Sequence, residues 1–189
     1  LLEQKENKKL TPGVRALILY PMNALANDQL KRLRQLLKDY PEITFGRYTG
    51  ETKERKSEAA DYFRKMNPKQ EILSNELLSR EEMRENPPHI LLTNYAMLEY
   101  LLLRPNDNVF FDGAYKDEWR FVVLDEAHVY AGSLGSEISY LLARLKDRVA
   151  DGEKNKLQFI ATSATLGGSK KEISDVIRYA EDLFDEKFT

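Results

Sequence analysis

Five short runs of apolar and β-branched residues alternate along this chain with segments of helical apolar spacing, and that alternation constrains its fold more than any other feature. The runs are 14–20 (VRALILY), 43–49 (ITFGRYT), 89–93 (HILLT), 121–125 (FVVLD) and 158–162 (QFIAT). Three of them are nearly continuous in apolar residues, the pattern of strands covered on both faces in a parallel sheet. Over 23–40, Ala26, Leu30, Leu33, Leu37 and Tyr40 make one apolar stripe. Ile138, Leu141, Leu142, Leu145 and Val149 repeat it over 133–149, and Ile173, Val176, Ile177, Ala180 and Phe184 over 171–184. Strands alternating with helices predict a doubly wound α/β domain with right-handed crossovers.

Local signals set some boundaries. Ser79 with Glu82 and Ser169 with Glu172 each fit S-x-x-E, a capping box in which side chains satisfy otherwise orphan N–H groups. The helix after Ser79 must stop by Asn86, because Pro87 and Pro88 cannot continue it. Residues 51–78 are charged and show no strand signal, so they read as a helical or loosely ordered insertion. Residues 104–119 and 150–156 read as surface loops.

Composition excludes several function classes. The 189 residues contain no cysteine and only two histidines, which removes disulfides, cysteine-ligated zinc and a histidine-rich metal site. No apolar run has transmembrane length, so no membrane partner is expected, and a cytoplasmic location is. The chain opens on Leu1 with LLEQKENKKL, which lacks the order of a signal peptide and reads as a piece of something larger. The formal net charge is -2. It divides into +4 over residues 1–50, -1 over 51–88 and -5 over 89–189. A near-neutral domain has no strong general field for phosphates, so any nucleic-acid contact must come from local placement.

The most informative segment is Phe121 to His128, FVVLDEAH. A buried strand ends in an acid, and open α/β sheets place their ligand sites beyond the carboxyl ends of the strands. Asp125 there can hold Mg²⁺ through its water shell. Glu126 beside it can polarise an attacking water, as phosphoryl transfer requires. Two acids capping a loop would look much the same. The later QFIATSAT places Ser163 and Thr165 past another apolar strand, on the same edge, where hydroxyls could bond His128 or Glu126.

FVVLDEAH followed thirty-odd residues later by ATSAT resembles motifs II and III of the DEAD/DEAH-box helicases of superfamily two. ALILYPMNALANDQL is similar to motif Ia, GRYTGE to motif Ib, and LLTNYAMLEYLL to the Thr-x-x-x-Leu motif that follows. Five matches in order over residues 14–166 are jointly specific. The wording YPMNALANDQ resembles large bacterial and archaeal members that carry a C-terminal cysteine-rich domain and resemble helicases of DNA repair and phage defence.

The resemblance implies a RecA-like three-layer domain with a mostly parallel sheet, the first of two motor domains, using ATP and Mg²⁺ on single-stranded or duplex nucleic acid, with DNA expected. It makes Asp125 the Mg²⁺-associated acid and Glu126 the residue that activates water. His128, Ser163 and Thr165 would couple nucleotide state to strand movement. Pro21, Met22, Asn23, Thr49, Gly50, Thr93 and Asn94 would touch the sugar-phosphate backbone, aided by free N–H groups at the helix starts after 21–23 and 94.

The sequence holds no G-x-x-x-x-G-K-[ST]. In the family that phosphate loop precedes motif Ia by one helix, and residues 1–10 read as the tail of that helix. The domain is therefore expected to be truncated at its N-terminal strand, and the chain alone is not expected to hydrolyse ATP. Two other readings remain. One is a non-catalytic nucleic-acid-binding module that kept the fold. The other is a metal-dependent hydrolase using Asp125, Glu126, His128 and His89, disfavoured because His89 precedes its strand while the others follow theirs.

Overall fold

Strand β1 (Ala16–Tyr20) lies inside a six-stranded sheet because its side chains are apolar on both faces. Leu17 and Leu19 enter the larger core, while Ile18 and Tyr20 join a smaller cluster on the opposite face. The computed structural model describes residues 1–7, 10–130, 132–150, 156–163 and 170–187, and for 24–26, 170–173 and 176 the backbone only. The capping box expected at Ser169 therefore lies outside the described residues.

The remaining strands are β2 (Phe45–Arg47), β3 (Glu76–Leu77), β4 (Ile90–Asn94), β5 (Phe121–Leu124) and β6 (Gln158–Ala161). Their order is β3-β2-β4-β1-β5-β6 and every pairing is parallel. Leu19 faces Thr93 on one side and Leu124 on the other, so the carboxyl ends of β4, β1 and β5 are level.

The helices are α1 (Leu2–Glu6), α2 (Asn23–Leu37), α3 (Lys56–Met66), α4 (Arg80–Glu85), α5 (Tyr95–Leu103), α6 (Ser133–Ala150) and α7 (Lys170–Phe184). Leu30 and Leu33 of α2 pack on Tyr20 and Leu92. On the other face, α5, α6 and α7 bury Leu98, Leu101, Ile138, Leu142, Leu145, Leu183 and Phe184 against Leu17, Leu91, Val122 and Leu124. The result is three layers, helix on sheet on helix.

The Ser79 capping box forms as expected: Ser79 Oγ accepts from the Glu82 N–H at 3.1 Å, and Glu82 Oε2 accepts from the Ser79 N–H at 3.1 Å. Two expectations need correction. Residues 51–78 hold the expected helix, α3, but are not strandless, because β3 extends the sheet beyond β2. Asn75 explains why: its amide nitrogen lies within 3.0 Å of the carbonyls of Leu37, Tyr40 and Ile43, tying this segment to the α2–β2 turn. Gly46 permits the close approach, since a Cβ there would sit 2.6 Å from Met83 Sδ and 3.0 Å from the Leu77 carbonyl.

Residues 104–119 are not merely a surface loop either. They form two 3-10 turns, Pro105–Phe110 and Gly113–Glu118, that bury Phe110, Phe111 and the adjacent Trp119 completely. Each such ring is worth roughly 1.5–3 kcal/mol of burial. The polar letters around the aromatic residues had masked that core contribution.

Candidate functional site

Parallel strands bring all their carboxyl ends to one edge. Every expected site residue that is described lies at or just past such an end: Pro21, Met22 and Asn23 after β1, Thr49 and Gly50 after β2, Thr93 and Asn94 in β4, Asp125, Glu126 and His128 after β5, and Ser163 after β6. Thr165 lies outside the described residues. The strand order divides the edge into an acidic half on β5 and β6 and an amide-rich half on β2, β4 and β1.

The acidic half is organised by one hydroxyl that sequence reasoning missed. Thr162 Oγ1 donates to Asp125 Oδ1 and accepts from the Glu126 N–H at 3.3 Å. The Ala127 N–H donates to the Thr162 carbonyl at 2.8 Å, so β6 grips the turn from Asp125 to Ala127 through main chain and side chain together. The signal was present, since Thr162 is the first polar residue after the apolar run FIA.

Glu126 sits in the left-handed region, at φ 52 and ψ 47. A non-glycine residue there is strained by about 1 kcal/mol. His128 Nδ1 lies 3.1 Å from Ser163 Oγ and 3.4 Å from Glu126 Oε2, so the imidazole bridges the acid and the hydroxyl of the next strand. Tyr179 of α7 was also missed. Its hydroxyl donates toward the carbonyls of Ala127 and Tyr130, at 2.9 Å and 2.6 Å, and closes the far side of the turn. Burial pushes the phenols of Tyr20 and Tyr130 well above the usual range, and the Asp125 carboxylate pushes them further. The acid thus faces neutral neighbours.

The amide-rich half is linked by hydrogen bonds. Asn94 Nδ2 donates to Asn23 Oδ1 at 2.8 Å, and Asn23 Nδ2 reaches Glu51 Oε1 at 3.5 Å. Asn94 also caps α5, accepting from the Met97 N–H at 2.8 Å. The first turn of α2 carries no side-chain cap, which leaves its N–H groups as the better anion site of the two. Met22 is 62% exposed at that start, and no atom lies within 4 Å of where a Cβ on Gly50 would sit.

Thr49 and Thr93 reach the edge with buried side chains. The Thr93 hydroxyl donates to the Tyr48 carbonyl at 2.6 Å, and the Thr49 N–H is already held by Thr52 Oγ1 at 2.9 Å. The Thr93 hydroxyl thus ties β4 to the end of β2, while the buried Thr49 hydroxyl has no hydrogen-bond partner among the described residues.

His89 is buried at the amino end of β4, where Nδ1 accepts from the Thr44 N–H at 2.9 Å and Nε2 lies 3.0 Å from the Thr11 carbonyl. It stands at the opposite edge of the sheet from Asp125, which removes the hydrolase reading that joined them. Burial holds its pKa below the ordinary imidazole value.

The acid pair thus stands at the carboxyl edge of an all-parallel α/β sheet, locked to a hydroxyl of the next strand. The DEAD/DEAH box helicase family model matches residues 1–173, and the chain belongs to that family. Among curated proteins it is similar to the Druantia protein DruE of Escherichia coli, 31% identical over 96% of this chain and 14% of that protein. It is also similar to an uncharacterized ATP-dependent helicase, MJ1574, of Methanocaldococcus jannaschii, 26% identical over 97% of this chain and 24% of that protein. The chain thus spans less than a quarter of the length of these relatives.

Among solved structures, the DUF1998 helicase MrfA bound to DNA shares the fold, with a TM-score of 0.66 at 23% identity, covering 100% of this chain and 20% of that one. So does the Mycobacterium smegmatis helicase Lhr bound to ssDNA and AMP-PNP, with a TM-score of 0.56 at 23% identity over 85% of this chain and 18% of that one.

Proposed function

We propose that this chain is part of the first motor domain of an ATP-dependent DNA helicase or translocase, working with a second RecA-like domain in a cytoplasmic protein. The resemblance of YPMNALANDQ to the large prokaryotic helicases with a cysteine-rich C-terminal domain supports placing it among them. The observation that carries the reading is the turn from Asp125 to His128, fastened to Thr162 and Ser163 and holding Glu126 in a strained backbone. Strain of that kind persists where a side chain must be aimed, which favours a working ATPase over a module that only binds.

The donor set fits Mg²⁺. Asp125 offers a part-buried carboxylate at a strand end, with one oxygen oriented by Thr162. Such a group suits a cation that keeps several waters. When bound, Mg–ATP supplies the phosphoanhydride whose hydrolysis drives movement. Asp125 would hold the metal's water shell, and Glu126 would orient the attacking water and take its proton on a carboxylate oxygen. His128 passes the position of Glu126 to Ser163 and the end of β6. Along β1, β2 and β4, the N–H groups of α2 and the Asn23–Asn94 pair hold one strand by its backbone, without reading its sequence.

The test is Glu126→Gln in the full-length protein. ATP binding should survive while steady-state turnover falls by ~10²-fold or more. Turnover at the wild-type rate would remove Glu126 from the chemistry and the reading with it.

A further inference from the structure

We infer that the cavity between α2 and α3 receives one unstacked nucleobase of the strand held along the neighbouring edge, a proposal that rests on the nucleic-acid reading above. The cavity has a volume of about 310 Å³ and is bounded by α2, α3 and the ends of β2 and β3. That is within the range of small-ligand sites and large enough for a purine.

Its lining suits a flat heterocycle. Tyr62 and Phe63 contribute two rings, each already carrying a cation: Lys53 Nζ lies 4.8 Å from the Tyr62 centroid, and the Arg34 guanidinium 4.8 Å from that of Phe63. Aromatic rings backed by cations are the sequence-tolerant surfaces on which single-stranded bases stack. Tyr62 is 43% exposed.

Glu76, also in the lining, is 4% exposed and ion-paired with Arg34, yet neither of its carboxylate oxygens has a hydrogen-bond partner. A buried carboxylate oxygen without a donor is costly, and a ligand N–H is one way to satisfy it. Each of the four DNA bases carries at least one N–H donor on its pairing edge. One acceptor therefore suits any of them, in keeping with a strand held without sequence preference.

The cavity is continuous with the amide-rich half of the edge. Arg47, which lines it, donates to Asn27 Oδ1 at 2.5 Å and to Glu51 Oε2 at 3.1 Å, and Glu51 Oε1 is the group that Asn23 reaches. A strand whose backbone lies on Asn23 and Gly50 thus passes the mouth of the cavity. Lys31 and Lys53 at its lining add positive charge where a neighbouring phosphate would pass.

The experiment is an abasic scan with the full-length protein and single-stranded oligodeoxynucleotides, each with a duplex end to fix register and one abasic site at a different position. One position should weaken binding ~10-fold, the size of one lost base stack, while its neighbours change little. Tyr62→Ala should bind intact and abasic strands alike at that position. The scan of the unaltered protein stands even if the variant misfolds. Equal affinities across the whole scan would overturn the proposal and leave the helicase reading intact, as would a position effect that persists in Tyr62→Ala. Failure to bind any strand would overturn both.

Discussion

At Glu126, backbone and side chain make opposing demands. The φ of 52 lies where glycine is at ease and a glutamate is strained, and the structure holds it there with the Thr162 hydroxyl and the Ala127 N–H. Removing the side chain should therefore separate stability from function. Glu126→Gly is expected to raise the unfolding free energy by up to about 1 kcal/mol in denaturant titration while ending ATP turnover in the full-length protein. A destabilised variant would mean that the Glu126 carboxylate contributes more to folding, through His128 and its other contacts, than its backbone costs. The Asp125 and Glu126 pair was legible because the four residues Asp125 to His128 follow an apolar strand and ATSAT comes after them, whereas two acids alone would have read as a loop cap. Thr162 was not, because a threonine leaving a strand is common, and only the paired register of β5 and β6 brings its hydroxyl to both Asp125 and Glu126.

Helix α7 shows how an element far along the chain fixes the acidic turn. Its Leu183 and Phe184 are buried, Phe184 packs on Phe159 of β6 at 4.9 Å between ring centroids, and Tyr179 reaches two carbonyls of the turn. Tyr179→Phe keeps the packing and deletes both bonds. It should cost about 1–2 kcal/mol in chemical denaturation and slow ATP turnover in the full-length protein, since the turn loses its support beyond Glu126. Loss of stability without loss of turnover would confine Tyr179 to holding α7. The apolar stripe of α6 was readable from spacing and is buried throughout, and burial on both sheet faces imposed the pattern of β1 and β4. Of the other stripes, Ile177 of α7 and Tyr40, past the end of α2, are exposed, and the side chains of Ile173 and Val176 lie outside the described residues. The elements that escaped, the two-residue β3 and the six-residue turns around Phe110 and Trp119, are too short to repeat an apolar period. They are specified by contacts that no periodicity reports: Asn75 to three carbonyls across more than thirty positions, and Trp119 Nε1 to the Phe110 carbonyl, nine positions away, at 2.8 Å.

Across the whole molecule, strand order explains how two chemistries share one edge. The acids on β5 and the amides on β4 flank β1, whose Tyr20 is buried between them and kept neutral by its surroundings. The same order leaves β6 outermost, and among the described residues no strand pairs with its outer side. Phe159 and Ala161 of β6 pack against the core, but Gln158 and Ile160 are exposed, Ile160 by 43%, and on the adjacent β5 Phe121 is exposed by 38%. A bare strand edge with apolar side chains on its open face is a template for pairing with another copy, and lysine is a common guard against it. The 189-residue chain should therefore show concentration-dependent self-association in sedimentation velocity. Ile160→Lys, placed on an exposed position and costing little in the core, should shift it toward monomer without lowering its melting midpoint appreciably. A wild-type chain that stays monodisperse over the same concentrations would show that the β6 edge is protected in solution, and the exposed Ile160 would need another explanation. If association persists unchanged in Ile160→Lys, the contact lies elsewhere on the molecule, with Met22 and Tyr140, 62% and 75% exposed, the next apolar surfaces to alter.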